Sequence, residues 1–549
     1  IAFISQSGAI CASMIDYANE LRIGFSKFVS IGNKADINEY DIMEYCLTDP
    51  DTKVLCLYAE SLYDAPRLLG LAQKLSSANP PKPIVILKAG QTDEGSKAAR
   101  SHTGSVSGNA KAYAALFSQA NITRVDTIED LLTTATCFAY NSVPTGNGVA
   151  ILTNAGGPGI LATDTAVASG LTMAQYEEKT KSELTEIVAP VGHSANPMDV
   201  LGDAPAIRYE KGLRALITDT TVSSIVTILT PQSTTEVEET AKVITDLKQT
   251  TQKPITASFM GDATVQKGIV YLRDHAVATF RYPEDAVRSI GALTTYAVRR
   301  NETAVALPES QKIPLENAVS VKIANHQPLV LTDAARLVAS YGFRVPESIK
   351  TNPIPTDADA QALTAMKTDM CVVKVISEQI SHKTDVGGVA LSVPKQQVMA
   401  AIASMKLTLA KTAPNATIEG FLVSEMADQL NAVELLVGFR REKGLGTVIV
   451  CGTGGILVEL QGDVAMQFDP STKTGWTHVL RKLKIASIIN GYRGKESYCW
   501  DDLYTAISAV TELSRDYPSI SELDINPLCI YPGRTGKRPV ALDIRVSLE

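Results

Sequence analysis

Ile1-Ala2-Phe3-Ile4-Ser5-Gln6-Ser7-Gly8-Ala9-Ile10 is an apolar run that enters a small-residue turn and continues as a helical pattern through Met14, Ile15 and Ala18. It reads as strand, turn and helix N-terminus. Such a turn leaves unpaired backbone N–H groups and the positive end of a helix dipole just beyond the strand, where an anion can sit. The same grammar returns at Gly148-Val149-Ala150-Ile151-Leu152-Thr153, followed by Asn154-Ala155-Gly156-Gly157-Pro158-Gly159 and a helix from Ile160. Turns of this kind also serve packing alone, and duplication does not by itself mean shared function, so both readings stand for Ser7, Gly8, Gly156 and Gly157.

Working outward, the strands Phe28-Val29-Ser30-Ile31, Val54 to Tyr58 and Ile84-Val85-Ile86-Leu87-Lys88 alternate with helical segments. Apolar strands separated by helices predict a parallel sheet covered on both faces, with ligands gathered beyond the carboxyl ends of the strands. The first α/β domain is expected over 1–144, ending at Val143-Pro144-Thr145-Gly146, and a second over 145–300. Residues 301–328 hold Pro308, Pro314 and few periodic apolar positions, and read as a surface linker. From 329 to 549 the pattern is richer in strands, such as Cys371 to Val375, Gly420 to Val423 and Ala432 to Val437, which predicts an α+β domain.

Composition narrows the function classes. With 549 residues and 45% hydrophobic content, several domains can each bury a core. The net charge of −8 and the lack of clustered Lys and Arg argue against a nucleic-acid face. Eight cysteines are scattered without CxxC spacing, so neither a disulfide frame nor a structural zinc is expected; several lie in apolar runs, as buried thiols in a reducing compartment would. No apolar run has transmembrane length. The chain is expected to be cytoplasmic, without a membrane partner. It opens inside a strand without an initiator Met, so a segment upstream is expected to be missing.

Three further stretches carry chemistry. Ala98 to Gly108 is a small-residue loop around His102, flanked by Ser101, Thr103, Gly104 and Ser105. A neutral imidazole is a competent nucleophile near neutral pH, so this histidine is a candidate phosphoryl carrier, the alternative being a solvated loop residue. His382, in Ser381-His382-Lys383-Thr384-Asp385-Val386-Gly387-Gly388, sits in a loop of similar polarity. Thr447 to Ile456 is a strand entering the turn Gly452-Thr453-Gly454-Gly455, whose amides could cradle nucleotide phosphates with Lys374 adding positive charge. Glu522-Leu523-Asp524-Ile525-Asn526-Pro527-Leu528 and Val540 to Arg545 place Asn526 and Asp543 on paired strands. A carboxylate with an amide oxygen suits Mg²⁺, which keeps few protein ligands, although Asn-Pro could equally just start a turn.

Together these motifs, in this order and across essentially the whole chain, resemble the nucleoside-diphosphate-forming acyl-CoA synthetases, the group of the ADP-forming acetate–CoA ligases and relatives of succinyl-CoA synthetase. The resemblance implies two flavodoxin-like, succinyl-CoA synthetase-like α/β domains followed by an ATP-grasp domain. It implies His102 as the phosphorylated histidine, oriented by Glu44, and Ser7-Gly8 with Asn154 to Gly159 as the paired helix N-termini that hold the phosphate. His382 resembles a second phosphoryl carrier with Asp524 as its partner. Lys374, Glu425, Met426, Gly454 and Gly455 match nucleotide positions, and Asn526 and Asp543 match metal positions for Mg²⁺. The implied reaction turns acyl-CoA (acetyl-CoA above all), phosphate and ADP into acid, CoA and ATP, reversibly, through an acyl phosphate. A homodimer or higher oligomer is expected.

The chain departs from the family where Glu442-Lys443-Gly444-Leu445-Gly446 replaces its Asp-x-x-Phe-Gly-Pro, and where Glu425 replaces a common Gln. The family's N-terminal CoA-binding domain is also expected ahead of Ile1, on the same or a separate CoA-binding chain. The rival reading is a regulatory, catalytically impaired synthetase-like protein that binds nucleotide or CoA without turnover.

Overall fold

A computed structural model describes residues 1–549 apart from 93, 96, 98–108, 189–193, 378, 381–382, 429–430, 456–461 and 495. His102 and His382 therefore lie outside the described residues. The chain divides into two compact units, Ile1–Thr303 and Ala304–Glu549.

The first unit carries two parallel sheets. Strands β1 (Ala2–Ser5), β2 (Lys27–Ser30), β3 (Leu55–Ala59), β4 (Ile84–Lys88) and β5 (Thr123–Val125) run in the order β2-β1-β3-β4-β5, the doubly wound flavodoxin-like arrangement. Helices α1 (Gly8–Leu21), α2 (Glu39–Thr48), α3 (Ala65–Ser77), α4 (Ala110–Gln119) and α5 (Ile128–Tyr140) follow the strands. The second sheet repeats the plan. β6 (Gly148–Thr153) lies between β7 (Thr172–Met173) and β9 (Ser224–Leu229), with β8 (Met198–Asp199) also on β6 and β10 (Ile255–Phe259) and β11 (Ala278–Phe280) continuing beyond β9. Its helices are α6 (Gly156–Ala168), α7 (Glu178–Val188), α8 (Ala206–Thr218), α9 (Val237–Lys248), α10 (Gln266–Asp274) and α11 (Pro283–Arg300).

All six residues of β6 and all six of β9 are buried, as strands covered on both faces must be. One apolar cluster holds Phe3, Cys56, Val85, Leu131 and Phe138 from the first sheet and its helices, together with Ile151, Val226, Phe280, Ile290 and Tyr296 from the second. The long helix α11 lies against both α5 and α6, with the Phe138 and Tyr296 rings 6.1 Å apart. Burying these aromatic and aliphatic side chains in one cluster fuses the two sheets into a single body.

The second unit is α+β, with antiparallel sheets. β12 (Ser348–Thr351), β13 (Met370–Ile376), β14 (Val389–Pro394) and β15 (Gly420–Glu425) form a four-stranded sheet in the order β12-β15-β13-β14. β16 (Val433–Glu442), β17 (Gly446–Thr453), β18 (Val464–Phe468), β19 (Ile520–Ile530), β20 (Val540–Ala541) and β21 (Ile544–Leu548) form a larger one, ordered β18-β17-β16-β19-β20, with β21 also on β19. The stretch expected as a linker over 301–328 is corrected in part. It contains α12 (Asn317–Ala324), whose Val319 and Ile323 are buried in the core of the larger sheet, so their apolar spacing belongs to an amphipathic helix. Among the described residues no helix is long and apolar enough to cross a membrane, and all eight cysteines are free thiols, seven of them buried.

Candidate functional site

The turns after β1 and β6 are built alike. Ser5, the last residue of β1, accepts the Ser7 amide on Oγ at 3.0 Å; Thr153, the last of β6, accepts the Ala155 amide on Oγ1 at 3.1 Å. The amide side chain that follows clamps the neighbouring strand's exit in both cases. Gln6 Oε1 accepts the Glu60 and Ser61 amides at 2.8 and 3.1 Å, beyond β3, and Asn154 Oδ1 accepts the Thr230 amide at 2.8 Å, beyond β9. Gln6 Nε2 and Asn154 Nδ2 return the bond to the Ser61 and Thr230 carbonyls, both at 2.8 Å. These positions are the strand ends at which an open α/β sheet binds ligands.

Ser7 caps α1 by accepting the Ile10 amide, whereas Ala155 gives α6 no side-chain cap. Gly8 and Gly157 are exposed, and a Cβ on either would meet nothing within 4 Å. The first-turn amides of α6 are thus free for an anion in a way that a side-chain-capped end is not.

Beside the first turn lies a cavity of about 410 Å³ lined by Gln6, Lys34, Glu39, Glu60, Ser61 and Arg67 among others. The α2 start that frames it is fixed by a capping box between Asn38 and Asp41. Lys34 Nζ donates to Glu39 Oε1 at 2.9 Å and to the Ser61 carbonyl at 2.7 Å, and burial lowers its pKa against the attraction of Glu39. Beneath the same loop Lys88, almost wholly buried, donates to the Glu60 carbonyl at 2.7 Å; burial brings its pKa down to about 8. Glu44 sits elsewhere. Its side chain is exposed on α2, 3.8 Å from Arg67, and it does not line this cavity. The carboxylates that do line it, Glu39 and Glu60 among them, stand one turn earlier on α2 or just past β3, and only the placement of strand ends could have found them.

In the second unit the expected nucleotide and metal residues fall into two groups. Lys374 on β13 donates to the Leu542 carbonyl at 3.0 Å and lies 3.6 Å from the Asp543 carboxylate. The Asn526 amide donates to the Asp543 carbonyl at 3.0 Å, while Asn526 Oδ1 accepts the Gly455 amide at 2.7 Å. Lys374, Asn526, Asp543 and the glycine turn are therefore one connected cluster between the two sheets. Gly455 is left-handed with φ +67°, which favours glycine, and a Cβ at Gly454 would collide with the Leu435 backbone. Asp524 faces Arg545 across the β19–β21 pair; burial, with Glu522 and Asp543 adding and Arg545 opposing, pushes its carboxyl up to about 6. Lys383 was not anticipated. Its pKa is lowered by burial and by Lys374 and Arg545, against the attraction of Asp543, which places its charge in the same field.

Glu425 and Met426 form the second group, at the exit of β15. The Glu425 carboxylate lies 3.8 Å from Arg344, and the Met426 amide donates to the Met370 carbonyl at 3.1 Å. No hydrogen bond or ion pair joins this pair directly to the Asn526–Asp543 cluster among the described residues. Their nearest common frame is the backbone, since the Ala541 amide donates to the Arg344 carbonyl at 2.9 Å. The same restriction applies to metals: among the described residues no three His, Cys, Asp or Glu side chains converge.

Comparison with known proteins agrees with the fold of these regions. Residues 1–138 match the model of a succinyl-CoA ligase-like flavodoxin domain, 149–305 that of a ligase-CoA domain, and 321–548 that of an ATP-grasp domain. An ADP-forming acetate–CoA ligase of Methanocaldococcus jannaschii is 35% identical over 549 aligned residues, covering 98% of this chain and 77% of that protein. An ADP-forming 4-hydroxybutyrate–CoA ligase of Nitrosopumilus maritimus is 31% identical, covering 100% of this chain and 78% of its own length. A solved acetyl-coenzyme A synthetase 1 of Ca. Korarchaeum cryptofilum, in complex with phosphate and ADP, superposes with a TM-score of 0.52 at 32% identity, covering 55% of this chain and 65% of that one. With matched domains in the same order along the whole chain, and relatives above 30% identity over three quarters of their length, the chain belongs to the family of ADP-forming acyl-CoA ligases.

Proposed function

We propose that the protein interconverts acyl-CoA, phosphate and ADP with the free acid, CoA and ATP, acetyl-CoA being the acyl donor its M. jannaschii relative points to. The observation that carries this reading is the connected cluster of Lys374, Asp543, Asn526 and the Gly455 amide, a donor-and-carboxylate set suited to a nucleotide's terminal phosphates. Phosphate attacks the thioester carbonyl and expels CoA as thiolate, leaving an acyl phosphate. The His102 imidazole takes the phosphoryl group and releases the carboxylate; His382 takes it from His102 and gives it to ADP. Each transfer exchanges one P–N or P–O bond for another, so in-line steps at stabilised positions replace a single site holding every substrate.

Within this scheme the matched turns hold the phosphate, through Ser7 and Gly8 at α1 and Gly156 and Gly157 at α6. Lys374 and the Gly454–Gly455 turn hold the nucleotide phosphates, with Glu425 and Met426 placed for the base. Asp524, with its pKa of about 6, is ionised at neutral pH and can hold the His382 imidazole in one tautomer. Asp543 and Asn526 would hold Mg²⁺: a carboxylate and an amide oxygen, kept side by side by a backbone hydrogen bond, suit an ion that takes few protein ligands. When bound, Mg²⁺ would neutralise charge on the transferring phosphates.

The test is to incubate the intact protein with Mg²⁺ and ATP labelled in the γ-phosphate and map acid-labile, base-stable label. Label on His102, abolished in His102→Ala, is the expected result, with His382→Ala blocking labelling from ATP but not from acetyl-CoA plus labelled phosphate. Nucleotide binding without any labelled histidine would instead favour a regulatory, non-turnover protein.

A further inference from the structure

Lys88, the last residue of β4, is only 3% exposed, an uncommon place for an ammonium. Its Nζ donates to the Glu60 carbonyl at 2.7 Å and to the Ala89 carbonyl at 2.5 Å, and stands 4.5 Å from the centre of the Tyr113 ring on α4. Two carbonyls and a ring face occupy its protons, so it has none to give to a ligand. Lys88 is one of four side chains that grip the segment after β3. Gln6 accepts the Glu60 and Ser61 amides and donates to the Ser61 carbonyl, to which Lys34 donates as well. The Tyr113 hydroxyl accepts the Leu62 amide at 3.3 Å and donates to the Leu62 carbonyl at 3.2 Å. Every backbone donor and acceptor of Glu60, Ser61 and Leu62 is thus held by a side chain from elsewhere in the unit.

The second sheet shows that the fold itself does not require this lysine. Lys88 lies opposite Ala59 in the β3–β4 register, and Phe259 lies opposite Leu229 in the β9–β10 register. The next amide closes both pairs alike, Ala89 onto the Ala59 carbonyl at 2.9 Å and Met260 onto the Leu229 carbonyl at 2.8 Å. In this matching place Phe259 is buried in an apolar cluster with Leu272 of α10, as the interior of such a sheet favours. An ammonium there gives up its hydration instead. Burial brings its pKa down to about 8 against the attraction of Glu60, with Lys34 adding repulsion. Apolar packing would serve the sheet better, so the charge serves what it holds.

What it holds lies at the cavity. Glu60 and Ser61 line it, and Gln6, to which both are bonded, precedes the Ser7 cap at the turn proposed to hold the phosphate. Ala89 is the first residue after β4, in the connection that carries His102 along the sequence. One ammonium therefore ties the exits of β3 and β4 together. We infer that Lys88 is a positioning residue for the acyl-phosphate half of the reaction, fixing the Glu60–Leu62 segment and the β4 exit against the α1 turn. This rests on the proposed ligase reaction and adds to it a residue that touches no substrate.

The experiment measures thioester formation by the intact protein from acetate, CoA and Mg-ATP, first in the wild type and then in two variants. Lys88→Met fills a similar volume without charge or donors, and Lys88→Arg keeps both. Lys88→Met is expected to lower kcat about 30-fold, as misplacement of a site by a fraction of an ångström does, and to slow histidine labelling by acetyl-CoA plus labelled phosphate to the same extent. Its KM for Mg-ATP is expected to stay within about twofold, because the nucleotide cluster belongs to the other unit. Its melting temperature is expected not to fall, since a buried methionine has no charge to desolvate. Lys88→Arg is expected to keep roughly a tenth of the wild-type kcat or more, through its retained donors. An unchanged kcat in Lys88→Met would show that Lys88 only fills space, as Phe259 does, and overturns the inference. A loss of kcat that comes with a lowered melting temperature in both variants marks a structural lysine and overturns it too. Either outcome leaves the ligase reading intact. A wild type that forms no thioester and labels no histidine overturns the ligase reading, and this inference with it.

Discussion

The two sheets of the N-terminal unit share one apolar core, whereas the two sheets of the C-terminal unit keep separate cores and meet through charged side chains. Phe3 and Cys56 from one sheet and Ile151 and Val226 from the other belong to a single cluster. In the second unit, Phe421, Val373 and Val375 of the small sheet cluster with α13 (Asp357–Ala365) and α14 (Val398–Thr412), while Phe439, Ile449 and Leu523 of the large sheet cluster with α15 (Trp500–Asp516). What joins the small sheet to the large one includes Lys374 to Leu542 and Asp543, and Arg344 to Glu425. Apolar burial is non-directional and welds its partners into one body, while a few polar contacts can be exchanged for water or ligand at little net cost. The first unit is thus a rigid platform for strand-end turns. The second is a jointed clamp whose joint is also its candidate nucleotide site.

The sharpest way to break this contrast is Phe421→Ala. Phe421 is fully buried in the small sheet, and truncating such a residue costs about 3–5 kcal/mol. If the small sheet is a separate cooperative body, calorimetry should show one transition moving to lower temperature while the transition of the large sheet stays in place, and saturating Mg-ADP should raise the shifted transition. A single transition moving as a whole would show that the two cores of the second unit unfold together.

The contrast also explains what could be read in the sequence. The parallel sheets were legible because strands buried on both faces are near-continuous apolar runs, as in Gly148–Thr153, and the repeated small-residue turns marked where each helix begins. Asn526, Asp543 and Lys374 were legible as polar residues in strand contexts, and the structure brings them together. Glu39, Lys34 and Glu60 were not, because nothing local distinguishes a carboxylate at a helix start that faces a cavity from one that faces water; only the neighbouring strand ends decide it. Glu44, five residues further along α2, lies on its exposed side. The linker reading erred where prolines masked α12, whose two buried side chains are too few to stand out as a periodic stripe.

Asp524 sharpens the contrast on the side of the clamp. Its folded-state pKa of about 6 lies above the ordinary 3.8, so below pH 3.8 the folded and unfolded forms are both protonated and there is no linkage. As pH rises from about 4 to 6 the unfolded chain gives up this proton first, and stability falls until the folded form has ionised too. The loss should be on the order of 3 kcal/mol by pH 7, and Asp524→Asn should lack it. Urea midpoints of the protein and the variant at pH 4 and pH 7 test this. Relative to wild type, the variant should gain stability between the two pH values, and parallel curves would show that Asp524 is not strained by burial at the joint.

The smallest effect belongs to the platform. Among the described residues, Arg22–Asp274 is the one ion pair that links the first sheet's layer to the second's, at 2.9 Å with both side chains about half exposed. It closes the end of α1 onto the end of α10, and next to it Arg273 donates to the Glu20 carbonyl at 3.1 Å. Solvent screening and the entropy of holding two long side chains leave such pairs with a coupling of about 0.2–1 kcal/mol, small beside the shared apolar cluster beneath. A double-mutant cycle of Arg22→Ala and Asp274→Ala should give a coupling in that range at low salt and near zero in about 0.5 M salt, where the Debye length is roughly half its physiological value. A larger, salt-resistant coupling would mean that the two sheets lean on this contact rather than on Phe138, Ile290 and Tyr296, and the platform would then be jointed as the clamp is.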